Sequence, residues 1–367
     1  MAKSIYLNPF NGGTAFLTLL FCMKHKTNLV TTLICLSSAL SASEQTTVTM
    51  TTPPPVYQPE GVTTQPKGVI TPPVAPRVQH GMDLVVDADF TWWKSQLAGL
   101  GFANINGKTR APESSFEPGF KLGLGLDLGF DGWDAYGEYT WVNQPWLTNS
   151  FKASDDKSYS TFIQPDSAGA LSVMPLDKAE SSGQFQFNIV DAEMGRNFFI
   201  SKRLTLRPHF GVKACRMFAK TEIHEEGSGS IKETDLSFKQ TVSALGVRAG
   251  INTVWHMTRT FGFYGDVAVS TLWSAFYNKS TSKVTSDDAT PSLSIKNKSQ
   301  NILPVIEAGI GLTYMTWFDH DSYQLYAKAG WEQQAWIDYN HNSITGTPNN
   351  TGMLSIQGLT IKAGFAF

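Results

Sequence analysis

Leu359-Thr360-Ile361-Lys362-Ala363-Gly364-Phe365-Ala366-Phe367 alternates strictly between two kinds of side chain. The odd-numbered residues are apolar, and the even-numbered residues are small or polar. Successive side chains of a β-strand point to opposite faces of the sheet, so one face of this segment is apolar throughout. Such a segment suits a sheet that has lipid on one side and water on the other.

The same alternation recurs along the chain from about Asp83 onward. The strands it predicts run to about 10 residues, the length that a tilted membrane strand needs. A soluble β-sandwich is the alternative, but its strands average about 5 to 6 residues and its exposed face carries more charge. We therefore predict an all-β fold, a transmembrane antiparallel β-barrel with an even number of strands, about 12 to 16.

The composition agrees with this fold class. Charged residues make up 16% of the chain and aromatic residues 12%, whereas a soluble domain averages about 25% charged residues. After the leader no stretch approaches the roughly 18 to 20 apolar residues of a spanning helix. The formal net charge of −2 gives no reason to expect a nucleic-acid partner.

The links between the predicted strands alternate in length, which predicts short turns on one rim and long loops on the other. Short links lie near 130–132, 201–203, 257–260 and 318–322, and long polar links near 142–182, 219–235, 276–299 and 337–352. In outer-membrane barrels the short turns face the periplasm and the long loops face the cell surface. Further strands are expected within the long links, for example around 158–163 and 217–223.

Two local irregularities are expected within the strands. Phe185, Phe187 and Ile189 are apolar in one phase of the alternation, whereas Val190 and the apolar residues after it follow the other phase. This change of phase predicts a β-bulge near 189–190. Pro208 lacks a backbone donor inside a strand, which predicts a second irregularity.

The residues before the barrel divide into three segments. Residues 23–43 combine a basic start, a short apolar core and small residues, the layout of a secretory signal peptide. An uncleaved anchor helix is the alternative, but the core is short for a span. Residues 1–22 precede this complete signal, so we interpret them as a misassigned upstream start. Residues 44–81 are rich in proline and threonine and predict a disordered periplasmic segment, which leaves 82–367 as the barrel.

Charged residues on the polar faces of the predicted strands are expected to line a pore. Ten are acidic and six are basic: Asp87, Asp89, Asp127, Asp134, Glu138, Asp191, Glu193, Asp266, Glu307, Glu332, Lys121, Arg207, Lys213, Arg248, Lys328 and Lys362. The acidic excess of four predicts a weak preference for cations.

Enzymatic chemistry has little support in the sequence. Gly123-Leu124-Gly125 lies in mid-strand without a following helix, so it does not predict a nucleotide loop. The six histidines after the leader are His80, His209, His224, His256, His320 and His341, and they show no metal-ligand spacing. We expect no catalytic residues, no metal and no cofactor. A hydrolase at the cell surface remains an open alternative, because folding can bring a serine and a histidine together in space.

Several motifs carry a family resemblance. They include Ala88-Asp89-Phe90-Thr91-Trp92-Trp93-Lys94, Gly195-Arg196-Asn197-Phe198-Phe199 and Trp331-Glu332-Gln333-Gln334-Ala335-Trp336. In order and spacing, these motifs resemble the major outer membrane protein (MOMP-like) porins of Legionella and of chlamydiae over roughly residues 83–367. The resemblance implies an abundant surface porin that is often multimeric and sometimes a host-contact antigen. Cysteine-rich members cross-link their envelopes; here Cys215 is the only cysteine after the leader, which leaves only an intermolecular disulfide open.

The segment at 359–367 also resembles the closing strand that the barrel assembly machinery of Gram-negative bacteria recognises by a terminal phenylalanine. Its apolar signature is Leu359, Ile361, Phe365 and Phe367. The expected location is the outer membrane of a Gram-negative cell.

The predicted function is passive diffusion of ions and small hydrophilic solutes through a water-filled porin. Two other classes remain open: a surface adhesin or structural envelope protein that acts through its long loops, and a transporter dedicated to one solute class. The expected partners are outer-membrane lipid and the assembly machinery, while a second copy of the chain and a host-surface molecule remain open.

Overall fold

The computed structural model describes residues 83–129, 131–152, 158–165, 171–201, 203–229, 231–287, 290–319, 322–342 and 350–367. The predicted upstream start, signal peptide and proline-rich segment lie outside these residues. Within the described ranges the chain forms fourteen strands, and no helix there is long and apolar enough to cross a membrane. The strands are β1 (Asp83–Leu97), β2 (Ala103–Ile105), β3 (Lys108–Arg110), β4 (Glu117–Asp127), β5 (Trp133–Lys152), β6 (Ser158–Pro165), β7 (Leu171–Arg196), β8 (Phe198–Phe199), β9 (Leu204–Gly227), β10 (Ile231–His256), β11 (Phe261–Ser286), β12 (Ser292–Phe318), β13 (Tyr323–Asn342) and β14 (Asn350–Ala366).

Ten of these strands close into a ring of antiparallel neighbours in the order β1, β4, β5, β7, β9, β10, β11, β12, β13 and β14. Strand β14 closes the ring by pairing with β1 from Val85–Ala366 to Leu97–Leu354. Strands β2, β3 and β6 form an extension that pairs with β7, and β8 pairs with β9. The predicted barrel and its even strand number are confirmed by these fourteen strands, of which ten form the wall.

The outer face of the ring carries a continuous band of exposed apolar side chains. Val247, Trp273 and Ile310 are 66%, 68% and 68% exposed, and we call this surface the apolar band. Other members are Leu84, Val86, Phe90, Leu122, Leu124, Val212, Ile251, Val267, Val269, Ile306, Ile361 and Phe365. A soluble monomer rarely exposes so large an apolar surface. Contact with membrane lipid explains the exposure of these apolar side chains.

The short turns and the long connections lie on opposite rims, as predicted. Asp131 and Gly132 both have positive φ, 51° and 72°, a backbone conformation that aspartate and glycine adopt more readily than most residues, which explains the Asp-Gly pair in this turn. On the long-loop rim much of each connection is regular strand: β10, β11 and β12 run for 26, 26 and 27 residues. The additional strand expected near 158–163 is β6, whereas 217–223 belongs to β9.

The predicted bulge near 189–190 is wrong. Strand β7 pairs with β5 and β9 without a register shift from Gly183 to Gly195. Phe185, Phe187 and Ile189 are buried and face the interior, as Asp191 does further along the strand. The phase of the apolar residues changes because the surroundings change along the strand. Near the short-turn rim the barrel interior is polar and its exterior apolar, whereas nearer the long-loop rim the interior is apolar.

An irregularity does occur beside Pro208. Pairing of β7 with β9 ends at Gly195–His209 and resumes as β8 with β9 at Phe198–Leu206. Pro208 lies between these two pairs and has no N–H to contribute to the ladder.

Candidate functional site

The barrel encloses a cavity of about 430 Å³. All sixteen charged residues that the alternation assigns to the inner face lie on the wall of this cavity. The ring brings them together from all ten strands of the wall.

Lys362 on β14 is the centre of one charged cluster. Its Nζ lies 3.2 Å from an Asp87 oxygen, 3.5 Å from Asp89 and 3.2 Å from Glu138. Tyr136 accepts a hydrogen bond from Lys362 Nζ and donates one to Asp87, each at 2.9 Å. These contacts link β1, β5 and β14, so the cluster holds one side of the barrel together as well as lining the cavity.

Lys121 extends this cluster to β13. Its Nζ lies 2.7 Å from Glu332 and 3.4 Å from Glu138. Glu138 is therefore shared between two cations. The ammonium group also lies 5.0 Å from the centre of the Trp93 ring, an arrangement that favours a cation.

A second cluster is built around Glu193 on β7. One Glu193 oxygen lies 2.7 Å from Arg207, and the other lies 2.6 Å from Arg248 and 2.9 Å from His209 Nδ1. Arg207 also donates from Nε to Asp134, at 2.8 Å. The planar guanidinium groups of arginine are suited to such shared carboxylates.

Lys213 and Arg248 connect this second cluster to β12. Lys213 Nζ lies 2.8 Å from both Asp191 and Glu307, and Arg248 lies 2.8 Å from Glu307. Lys213 is only 1% exposed at its side chain. A buried ammonium group of this kind requires paired carboxylates, and it has two.

The remaining three predicted residues lie near the short-turn rim and outside these clusters. Asp266 accepts a hydrogen bond from Asn252 at 3.0 Å, and Asp127 accepts one from the Gly129 amide at 2.9 Å. The Lys328 ammonium group lies 5.3 Å from the Tyr264 ring centre. His209, Tyr136 and Tyr264 also line the cavity but were absent from the predicted set of sixteen charged residues. The alternation that identified their neighbours applies to them equally.

A layer of aromatic side chains lies across the barrel above the cavity, on the side of the long-loop rim. Its members are Trp93, Phe185, Phe187, Phe276, Trp336 and Tyr339, all with at most 1% exposure. We call this set the aromatic layer. Phe187 on β7 and Trp336 on β13 meet with ring centres 5.6 Å apart. These strands are five positions apart in a ring of ten, so the contact crosses the whole barrel.

The width of the ring explains why side chains can meet across it. A barrel of about eight strands is just wide enough to be filled by side chains, and open aqueous pores belong to barrels of about 16. A ring of ten strands falls near the narrow end of that range. The aromatic layer therefore lies between the charged cavity and the long-loop rim.

Beyond the aromatic layer, the β9–β10 hairpin carries two groups of titratable residues. Glu225 is fully buried and accepts hydrogen bonds of 3.0 and 3.1 Å from Ser160, and burial raises the pKa of its carboxyl group to about 8. His224 Nδ1 lies 2.7 Å from Asp235, and this hydrogen bond raises the pKa of the imidazole.

His224, Asp235 and Glu233 place one ligand atom each within 4.8 Å of the others. Spacing in the sequence gave no sign of this group because its members come from two strands. All three side chains are partly exposed to solvent, and exposed groups of this kind are common without an ion. Cys215 faces the interior and is buried, so its sulfur is out of reach of a second chain.

A closed antiparallel ring with an apolar outer band and a charged interior defines an outer-membrane β-barrel protein. The chain belongs to the family described as Legionella pneumophila major outer membrane protein precursor, whose family model matches residues 75–367. The family and the barrel together place the protein in the Gram-negative outer membrane. No individual curated protein sequence matches the chain.

Solved structures of outer-membrane barrels are similar to this chain at low sequence identity. The outer membrane protease OmpT of Escherichia coli is 10% identical, with 78% of this chain and 96% of that chain covered and a TM-score of 0.40. A major outer membrane protein of Thermus thermophilus is 14% identical, with 78% and 100% covered and a TM-score of 0.27. The attachment invasion locus protein Ail of Yersinia pestis is 10% identical, with 78% and 100% covered and a TM-score of 0.23.

Proposed function

We propose that this protein is a narrow outer-membrane channel that passes ions and small hydrophilic solutes passively when its aromatic layer opens. The observation that carries the proposal is the position of the charged cavity directly beneath a layer made of side chains. Side chains change rotamer on far shorter timescales than strands separate. Rearrangement of the aromatic layer would therefore open the charged cavity toward the long-loop rim without breaking the wall.

The charges on the cavity wall support a hydrated path rather than a sealed core. Ten acidic and six basic residues surround the cavity, and an apolar filling of the same volume would avoid the cost of burying them. Hydrophobic constrictions above such a lining are known to act as gates that exclude water. The acidic excess favours cations over anions in the open state.

Single-channel conductance in a planar lipid bilayer tests the proposal. We expect the wild-type protein to open rarely and Trp336→Ala to open far more often, because the substitution removes the contact with Phe187 across the barrel. Trp273→Ala is the matched control, because it truncates a tryptophan that faces lipid. Heat-modifiable migration on gels checks that each variant folds. Folded wild-type and Trp336→Ala proteins that never conduct would refute the channel.

A second candidate is a surface adhesin or structural envelope protein. Strands of 26 and 27 residues far exceed the roughly 9 to 11 residues that cross a bilayer. The excess forms a wall beyond the aromatic layer with its own apolar cluster, which includes Phe102, Phe162, Ile223 and Phe238. A stable wall of this kind supports a role in contact with other surfaces. Loss of cell attachment after deletion of residues 287–291, which connect β11 to β12, with conductance unchanged, would separate the two candidates.

A further inference from the structure

Four lysines lie side by side on the outer face of the barrel, between the apolar band and the long-loop rim. Lys220 is the cross-strand partner of Lys239, Lys239 of Lys279, and Lys279 of Lys296. We call these four residues the lysine row. Their neighbours in sequence Gln240 and Asn278 are buried in the interior, so the lysines point outward. The row crosses the four adjacent strands β9 to β12.

The charge of the lysine row is not balanced within the sheet. Like charges directly opposite each other on neighbouring strands destabilise a sheet. Lys220 has a carboxylate partner, Glu222, at 2.7 Å. Among the described residues, Lys239, Lys279 and Lys296 form no ion pair. The sheet therefore presents three adjacent ammonium groups that have no counter-charge among the residues the structure describes.

The height of the row on the barrel indicates where a counter-charge would lie. One step closer to the apolar band, the outward residues opposite one another include Phe218, Thr241 and Tyr277. Aromatic side chains at this position mark the membrane–water interface. Trp273, an exposed member of the apolar band, precedes Lys279 by six residues, which corresponds to about 20 Å along the strand. A strand tilt of about 40° reduces this to roughly 15 Å along the membrane normal.

We propose that the lysine row binds the phosphate groups of outer-leaflet lipids. Neighbouring strands are about 4.8 Å apart, so the row spans roughly 14 Å, enough for a headgroup that carries two phosphates. Lysine binds phosphate as a compact point charge. Lys298, exposed one step below the row with its ammonium group 5.1 Å from the Tyr277 ring centre, adds a fifth cation at the interface.

Binding of lipid A to the folded full-length chain tests this proposal. Three probes are titrated into the protein in neutral detergent, and bound probe is counted by native mass spectrometry: diphosphorylated lipid A, the same lipid without phosphates, and inositol hexakisphosphate. A lysine beside an anionic lipid surface contributes roughly fivefold to binding, so Lys239→Gln combined with Lys279→Gln should weaken binding of diphosphorylated lipid A about 25-fold.

The matched control combines Lys178→Gln with Lys232→Gln, two exposed lysines whose partners are Glu226 and Asp287. It should bind lipid A as the wild-type protein does, and heat-modifiable migration verifies folding of both double variants. Equal binding by the row variant, or equal binding of the lipid without phosphates, would overturn the proposal. Inositol hexakisphosphate binding that equals lipid A binding and depends on the row would overturn the lipid as the source of phosphate.

Discussion

Replacement of Glu225 by glutamine should stabilise the protein at neutral pH. Glu225 is fully buried, and Ser160 donates the only hydrogen bonds to its carboxyl group that the structure describes. Its pKa is raised by burial from 4.5 to about 8. In the folded state the carboxyl group therefore keeps its proton at pH 7, whereas in the unfolded chain it has lost it.

The magnitude follows from this difference in pKa. Below pH 4.5 both states are protonated, and the group has no effect on stability. As the pH rises toward 8, the unfolded state alone loses its proton, so stability falls by about 1.4 kcal/mol per pH unit. At pH 7 the accumulated cost is about 3 kcal/mol. Glu225→Gln retains the shape and a hydrogen-bonding partner for Ser160 but cannot ionise, so it removes this cost.

Chemical unfolding of the refolded protein in detergent, measured from pH 4 to pH 8, tests the prediction. The wild-type and Glu225→Gln proteins should have similar free energies of unfolding at pH 4 and should diverge steadily above pH 5, with the variant more stable. Glu222→Gln is the control, because Glu222 lies on the same strand but faces outward and is exposed. Curves for wild type and Glu225→Gln that stay parallel across this range would refute the reasoning.

Two further predictions concern the barrel wall. Lys213→Met should cost about 3 to 5 kcal/mol of unfolding free energy, because it leaves Asp191 and Glu307 buried without the lysine charge between them. Lys328→Met, which loses only a ring contact, should cost much less in the same unfolding assay. Equal costs for the two variants would count against the importance of the buried ion pairs. Val247→Arg should destabilise the barrel by about 2 to 4 kcal/mol, because it places a charge on the lipid face. Folding yield into vesicles measures this effect, and Thr241→Arg, which faces outward beyond the apolar band, should fold normally if the band is placed correctly.

Much of the barrel followed from the sequence because a membrane strand has to satisfy lipid and water on alternate residues. That constraint repeats every two residues, so it can be read locally at 359–367 and again in each of the other wall strands. The same alternation assigned Asp191, Arg207 and Lys362 to the inner face, where the structure places them. The positions of the short turns could also be predicted from the sequence, since Asp131-Gly132 favours a turn by its own backbone preferences.

The partners of the inner residues were decided by the tertiary structure. Which carboxylate meets Lys213 depends on how many strands close the ring and on their register, and neither is encoded in any one strand. The aromatic layer shows the same limit: the phase change before Val190 was visible, but a bulge and an apolar interior predict the same pattern. The closed ring distinguishes the bulge from the apolar interior, because it brings Phe187 on β7 against Trp336 on β13. A contact across a barrel joins residues that are distant in sequence, so no local pattern predicts it.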